Sequence, residues 1–531
     1  MGCICMTDAD FQQQMSSTKR FSFSLFLQAI LVGLFAGLVI SLFRIVVDFL
    51  LGKVGPCYAR VASPAGIFVI IAVMSLIGLA CGFLTRLDPH VSSSGIPQVA
   101  AQLAGKLEMN WKHVLPLKFV TCVMTLGSGL TMGREGPSVQ IGGVVGQGVG
   151  ELCKCPKSQQ RYLLSAGAAA GLASAFSAPV AGVLFSMETL HQNFSKRALV
   201  CCMAAAFTGD FVAAQFFGIQ PIFHYDFVAT IELRYYWFLL VLGIVMGFSG
   251  TLFNTALIWA KDWHARMDER HDVPWWVWSV VPFVLTAVVC LIEPALFGSG
   301  QSMVAYASEA SASPALPILI LFYFLKVVLL AMCFGSGLPG GCFQPLLGLG
   351  ALAGDITAQF GVLAGVIPPE FVLPIALLGM AGEFASAIRA PLTGILLIAE
   401  ITQLSSLLLP IGIVTLVSHV TAQVLGVKPF YASLQERIKP DKNYCEISEG
   451  NQLVEYCVED NSMADGMLVG EVSWPSDLLI VSVRRGDQEA IMTPSLRLRA
   501  GDYIIGYQPD GSAAWNDEQM RGLVQEQQHL G

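Results

Sequence analysis

The chain has few charged residues for its length. Aspartate, glutamate, lysine and arginine make up 13% of its 531 residues, whereas soluble proteins carry about a quarter. Hydrophobic residues make up 54% of the chain, and the mean hydropathy is +0.63. This scarcity of charge excludes a soluble enzyme and predicts a protein that lies mostly within a membrane.

Apolar runs long enough to cross a bilayer recur from residue 23 to residue 428. Some of them are short or interrupted by glycine, so we expect about ten to eighteen helices. A polypeptide surrounded by lipid must satisfy its own backbone, so broken helices must line an enclosed cavity. The predicted fold class is an all-α polytopic membrane protein.

Several common signatures are missing. The first 20 residues are polar and the first apolar run is too long for a signal peptide. The 14 cysteines are scattered, and the pairs Cys3/Cys5 and Cys153/Cys155 lack partners at zinc spacing. The glycine run at 146–150 follows no soluble strand, so it predicts close helix packing. We therefore expect no metal site, no cofactor and no nucleic-acid partner.

Composition divides the chain into segments. We predict a polar leader at 1–22, a membrane unit at 23–437 with halves at about 23–220 and 236–437, a small domain at 445–510 and a polar tail at 511–531.

The small domain is predicted to be α+β, with strands at 477–485, 489–492 and 502–508. Residues 467–508 resemble the RCK C-terminal (TrkA-C-like) domain. That resemblance implies a cytoplasmic regulatory domain with a small-molecule ligand.

The membrane unit contains one motif twice. Residues 127–137 (GSGLTMGREGP) and 335–345 (GSGLPGGCFQP) lie 208 positions apart, and ten of the 21 positions from Leu117 to Pro137 are identical at this offset. A second pair, 174–188 and 386–400, shares an Ala-Pro step and a later glutamate. A duplicated unit with glycine and proline breaks predicts a central binding site.

The repeated loops favour an anion as the ligand. Each places small residues where a hydrophobic helix should begin. A helix that begins inside the membrane directs free N–H groups and partial positive charge at the cavity. Such backbone donors bind an anion weakly enough to release it.

Four motifs resemble the signatures of the CLC chloride channel and transporter family. They are Ser94-Gly95-Ile96-Pro97, the loop Gly133-Arg134-Glu135-Gly136-Pro137, residues 341–345 (GCFQP) and residues 428–431 (KPFY). The resemblance covers about residues 25–437. It implies inverted repeats of broken helices, a homodimer with one anion pathway in each subunit, and a prokaryotic inner membrane as the location.

The resemblance also implies roles for individual residues. The hydroxyls of Ser94 and Tyr431 and the backbone N–H groups of Cys342 and Phe343 would bind chloride. Proline at the Ser94 position accompanies nitrate preference in the family, so serine indicates chloride. The family usually has glycine where this chain has Ser93.

Glu135 is the candidate gate and proton acceptor. An ionisable residue in an apolar, glycine-rich stretch indicates function, and its carboxylate could occupy the anion's donors. Its neighbours Gly133, Arg134, Gly136 and Pro137 would form the gating loop.

The inner proton position departs from the family. Proton-coupled members usually have a second glutamate there, and this chain has Thr189 directly after Glu188. Glu188 and Glu400 are equivalent in the repeat and are predicted to be structural. Lys118 and Lys326, also equivalent, are predicted either to set a positive potential or to cap helix ends.

Three interpretations follow. We favour exchange of chloride for protons, because the architecture lacks the CBS pair usual in eukaryotic members. A passive chloride channel gated by Glu135 is the alternative that Thr189 favours. A transporter of another solute fits less well, because the motifs offer donors rather than ligands for a cation.

Overall fold

The computed structural model describes two compact units, residues 1–441 and 442–531. The described residues are 8–61, 63–191, 195–219, 223, 228–271, 274–300, 315–438, 451–459, 462–475, 478–485, 488–509, 519–520 and 523–524. Residues 1–7 of the predicted leader, the junction at 439–450 and most of the predicted tail lie outside them.

The first unit is a helical bundle with sixteen α-helices among its described residues. They are α1 Asp8–Arg60, α2 Pro64–Leu87, α3 Ile96–Leu103, α4 Trp111–Gly127, α5 Glu135–Leu152, α6 Lys157–Phe176, α7 Pro179–Phe185, α8 Lys196–Phe217, α9 Tyr236–His271, α10 Trp275–Ile292, α11 Leu316–Gly335, α12 Phe343–Leu363, α13 Val372–Ile388, α14 Pro391–Thr402, α15 Leu408–Val424 and α16 Phe430–Gln435. Eight described helices are long and apolar enough to cross a membrane. The predicted polytopic fold class is confirmed.

Proline and glycine set where the repeated helices begin. The two Ala-Pro steps become the starts of α7, at Pro179, and α14, at Pro391. Proline suits this position because its fixed φ is helical and its missing N–H has no partner there. The two GSGL segments precede α5 and α12 in the same way. Equivalent sequences therefore break the chain at equivalent places in both halves.

Glycines let the central helices cross closely. In the first half, Gly142 and Gly146 of α5 face Gly167 and Gly171 of α6, with backbone directly against backbone. Gly146, in the glycine run at 146–150, lies inside α5 against the Leu163 carbonyl. The run therefore serves helix packing, as the sequence predicts.

Two glutamates tie the halves together reciprocally. Glu188 accepts hydrogen bonds from the Leu392 and Thr393 N–H groups at the start of α14, at 3.2 and 2.9 Å. Glu400, at the other end of the repeat, accepts from Val180 and Ala181 at the start of α7, at 3.1 and 2.8 Å. Each carboxylate caps the other half's helix, where negative charge is favourable. These contacts join the two halves of the membrane unit and therefore serve its structure.

The second unit is built on a four-stranded antiparallel sheet in the order β1-β4-β2-β3. Its strands are β1 Asn451–Cys457, β2 Leu479–Arg485, β3 Gln488–Ile491 and β4 Asp502–Pro509. The last three match the predicted strands within two residues at each end, whereas β1 was not predicted. Its core contains Val458, Val483 and Ile504.

Gly142→Ala tests the close crossing of α5 and α6. The new methyl group would fall against the Gly167 carbonyl oxygen, and overpacking of this kind costs about 1–3 kcal/mol. We expect a lower free energy of unfolding for the purified protein in detergent. Gly52→Ala is the matched control, because a Cβ at Gly52 in α1 would meet no atom within 4 Å among the described residues beyond the adjacent backbone of its own helix. Equal stability of the two variants would contradict the packing role.

Candidate anion site

The duplicated loops meet each other at the centre of the membrane unit. The Gly133 N–H donates to the Gly341 carbonyl at 2.6 Å, and the Gly341 N–H donates to the Gly133 carbonyl at 2.8 Å. The pair is antiparallel, as expected where two equivalent segments face each other. Immediately after it, α5 begins at Glu135 and α12 begins at Phe343. Two helix N-termini thus start side by side.

Ser94, Cys342 and Tyr431 gather beside these N-termini. The Ser94 hydroxyl is fully buried without a hydrogen bond of standard geometry and lies against the Tyr431 hydroxyl. The Cys342 thiol lies 3.8 Å from that same hydroxyl. Gly136 packs on Ser94 and on the Gly341 backbone so tightly that a Cβ would collide. Sequence segments more than 300 residues apart therefore form one small polar centre.

Glu135 is the charged group of this centre. Its side chain is fully buried, and neither carboxylate oxygen makes a hydrogen bond of standard geometry within the described part of the chain. The nearest donors are the backbone N–H groups of Glu135 itself and of Gln344, which lies in the first turn of α12. The carboxylate therefore faces donors of both helices without being fixed to any.

Arg134 supplies little free positive charge to the centre. Its Nη1 lies 2.8 Å from Asp48 Oδ1 of α1, whereas its Nε is 4.0 Å from Glu135 Oε1. Asp48 was not predicted; its signal in the sequence is an acidic residue inside the first long apolar run. Pro137 is buried in the first turn of α5, where a missing N–H is tolerated. An ion pair with Asp48 of α1 thus anchors the loop that contains Glu135.

An aromatic wall adjoins the site. The Phe343 ring lies 5.3 Å from Phe176, 5.9 Å from Phe185 and 4.8 Å from Phe384, measured between ring centroids. Phe185 also contacts the Tyr431 ring at 6.3 Å. None of these partners was predicted, because phenylalanine in an apolar helix gives no signal of its position. The wall excludes water from one side of the polar centre.

Thr189 lies apart from the residues that meet at Glu135. It is in a π-helical turn, Ser186–His191, one helical turn beyond Phe185. Its hydroxyl is buried and has no hydrogen-bond partner among the described residues. π-Helical turns frequently occur at functional sites.

The two equivalent lysines bind backbone carbonyls. Lys118 Nζ donates to Val91 O at 2.9 Å and Ser93 O at 2.7 Å. Lys326 Nζ donates to Leu296 O and Gly298 O, both at 2.7 Å. Both side chains are buried. Of the two predicted roles, these contacts match the capping of backbone groups, and they hold the Ser94 loop and its counterpart in place.

The arrangement is suited to holding a small anion. Helix N-termini offer N–H groups and partial positive charge, and the hydroxyls of Ser94 and Tyr431 add neutral donors. The same donors can bind the Glu135 carboxylate instead. An anion and this carboxylate therefore compete for one place.

Comparisons with known proteins agree with this geometry. Residues 77–423 match the family model described as voltage gated chloride channel, and residues 453–505 match that of the TrkA-C domain. The H(+)/Cl(-) exchange transporter ClcA of Salmonella arizonae is 35% identical over 78% of this chain and 88% of its own length. That of Salmonella typhimurium is 36% identical over 72% and 81%.

Solved structures are similar as well. A slow cyanobacterial Cl-/H+ antiporter is 30% identical and superposes with a TM-score of 0.71, covering 79% of this chain and 99% of its own. A CLC-type fluoride/proton antiporter at 23% identity has a TM-score of 0.64, covers 77% of this chain and 97% of its own, and supports the fold alone.

Ser93→Gly is expected to stabilise the protein. Ser93 has φ 58, a left-handed conformation that glycine adopts without steric cost, and its hydroxyl has no hydrogen-bond partner among the described residues. The gain should be about 1 kcal/mol in the free energy of unfolding. Ser92→Gly is the matched control: Ser92 has φ −65, so glycine there should destabilise the fold. If both changes destabilise it, Ser93 is not strained.

Proposed function

The chain belongs to the voltage-gated chloride channel (CLC) family and carries a TrkA-C domain, and we propose that it exchanges chloride for protons across its membrane. One observation carries the proposal. At the same place in the two copies, one half presents the carboxylate of Glu135 and the other presents the backbone N–H of Phe343. Such exchange requires a carboxylate that can leave the site and backbone donors that stay in place.

The exchange step follows from competition at the donors. An ionised Glu135 occupies the positive ends of α5 and α12 and excludes chloride. A proton removes its charge, so the donors no longer hold it and chloride takes its place. Release of chloride on one side and of the proton on the other completes the cycle. While chloride occupies the site, Ser94, Tyr431, Cys342 and Phe343 bind it.

Proton delivery to Glu135 distinguishes the two candidate functions. Threonine at 189 cannot carry a proton as a carboxylate does, which favours the second candidate function, a passive chloride channel gated by Glu135. We prefer exchange because the relatives that resemble this chain over most of its length are named as exchangers. Transport needs neither a metal nor a cofactor in this scheme.

The oligomeric state, the location and the ligand site of the second domain are proposed on the same basis. We assign the membrane unit to a homodimer in a prokaryotic inner membrane, with the TrkA-C domain in the cytoplasm. Within that domain a cleft of about 360 Å³, lined by Val469, Trp474, Ile480 and Met492 among others, is our candidate for the small-molecule site.

Purified protein in liposomes tests the exchange. Under an imposed chloride gradient, we expect the wild-type protein to drive protons against their own gradient, and Glu135→Gln to move chloride without coupled movement of protons. Glutamine keeps the shape of the side chain but cannot ionise. The measurement is the external pH together with the reversal potential.

The two candidate functions differ in this assay. A wild-type reversal potential set by chloride alone would reject exchange and leave the channel. Proton movement that persists in Glu135→Gln would reject Glu135 as the proton acceptor. Asp48→Asn is an informative companion, because it loosens Arg134 but leaves the Glu135 carboxylate present.

Ser94→Pro tests the anion selectivity of the site. Proline removes the Ser94 hydroxyl, and the family pattern associates proline here with nitrate. We expect the permeability ratio of nitrate to chloride to rise at least several-fold, measured from reversal potentials with one anion on each side. An unchanged ratio would exclude Ser94 as a selectivity residue.

A further inference from the structure

A second carboxyl is buried without a partner in the membrane unit. Glu383 on α13 has no exposed surface, and neither of its carboxylate oxygens makes a hydrogen bond of standard geometry to a described residue. An unpaired ionised carboxylate in apolar surroundings is costly. Intramembrane carboxyls are for this reason rare and usually functional.

The repeat shows that helix packing does not require this carboxyl. Gly142, Gly146, Gly167 and Gly171 form the crossing of α5 and α6, and their equivalents at the crossing of α12 and α13 are Gly350, Gly354, Gly379 and Glu383. Three glycines are kept, and the fourth becomes a glutamate. Its Cβ lies so close to Gly350 that a side chain on Gly350 would collide with it. A carboxyl has replaced the residue that packs best there.

Two hydroxyl groups face the Glu383 side chain. The Ser249 hydroxyl of α9 lies against the carboxyl, and it is 2.6 Å from the Tyr323 hydroxyl of α11. Ser249 and Tyr323 also line a cleft of about 420 Å³ on the outer surface of α9, α11 and α12. Hydroxyls both donate and accept hydrogen bonds. The pair therefore connects the carboxyl to the wall of this cleft through hydroxyl groups.

The other titratable groups on helices near α13 are engaged elsewhere. Asp355 of α12 accepts from Gln359. Glu400 of α14 binds N–H groups of α7. Tyr431 of α16 lies in the anion site, and His419 of α15 is beside Arg389 at the far end of α13. No ion pair involving Glu383 occurs among the described residues. The proton is its simplest counter-charge.

Glu383 is close enough to the anion site to affect it. The next residue, Phe384, contacts the Phe343 ring at 4.8 Å. Gly350, beside Glu383, lies seven residues along α12 from Phe343, which is about 10 Å at the helical rise. Two unit charges at this separation, at an effective dielectric constant of about 20, alter an affinity roughly tenfold.

We propose that Glu383 is a second proton-binding site, whose protonation raises the affinity of the central site for chloride. The neutral carboxyl leaves the field of the α12 N-terminus unchanged. The ionised carboxylate repels an anion at that N-terminus and drives it out. The proposal rests on the chloride site proposed above, but it does not require exchange.

Chloride titration calorimetry on the purified full-length protein tests this. Glu135→Gln is used as the background, because it removes the other carboxylate that competes with chloride. In that background we expect the affinity to fall roughly tenfold from mildly acidic to mildly alkaline pH. Adding Glu383→Gln should abolish the fall. Adding Asp355→Asn, which removes a buried carboxyl of α12, should preserve it.

Infrared difference spectroscopy gives a second readout that needs no change at 383. The Glu135→Gln protein should show a band of a protonated buried carboxyl, which disappears with the same midpoint as the loss of chloride affinity. Affinity that does not vary with pH in Glu135→Gln, or that still varies after Glu383→Gln, would overturn the proposal. Absence of the carboxyl band would also overturn it. If the wild-type protein binds no chloride, the proposed function itself fails.

Discussion

The pair of backbone hydrogen bonds between Gly133 and Gly341 is the contact on which the rest of the site depends. A chain inside a membrane must satisfy its backbone internally, so two helices can begin at mid-depth only if the loops before them have partners. Here each loop satisfies the other. The first N–H groups of α5 and α12 then remain available for a ligand. Glycine suits both positions, because a Cβ at either one would lie only 3.0 Å from backbone atoms of the facing segment.

Duplication supplies the scaffold, and differences between the copies supply the chemistry. Both halves use the same glycine crossings, the same lysine contacts to carbonyl groups and the same reciprocal glutamate caps. They differ at two equivalent positions, where one copy has a glutamate and the other has an apolar or small residue. Glu135 is equivalent to Phe343, and Glu383 is equivalent to Gly171. Symmetric parts hold the helices in register, because equivalent contacts are made twice. The residues that differ place an ionisable group in one half only: Glu135 in the first half and Glu383 in the second.

Much of the site was predictable because its residues carry local signals. Glycine and proline interrupt apolar runs at Ser94-Gly95-Ile96-Pro97 and in both GSGL segments, and such interruptions are visible without a fold. Asp48 gave a weaker signal and Phe185 gave none, since their roles depend on which helix packs beside them. Glu383 was missed for the same reason: one acidic residue in an apolar stretch does not reveal whether it finds a partner. The strand β1 was missed because its apolar residues, such as the adjacent Leu453 and Val454, do not alternate regularly with polar ones.

The amino-acid sequence by itself determined that the protein is a duplicated membrane protein of the CLC family, with helix breaks at its repeated loops and a TrkA-C domain after residue 450. Hydrophobicity, proline and glycine act through local chain geometry, so their consequences can be derived from neighbouring residues alone. Only the tertiary structure decided which groups face one another: Ser94 with Tyr431, Arg134 with Asp48, and Glu383 with Ser249 but no counter-charge. Electrostatic partnership depends on distances across helices that are far apart in the chain, and packing alone sets those distances.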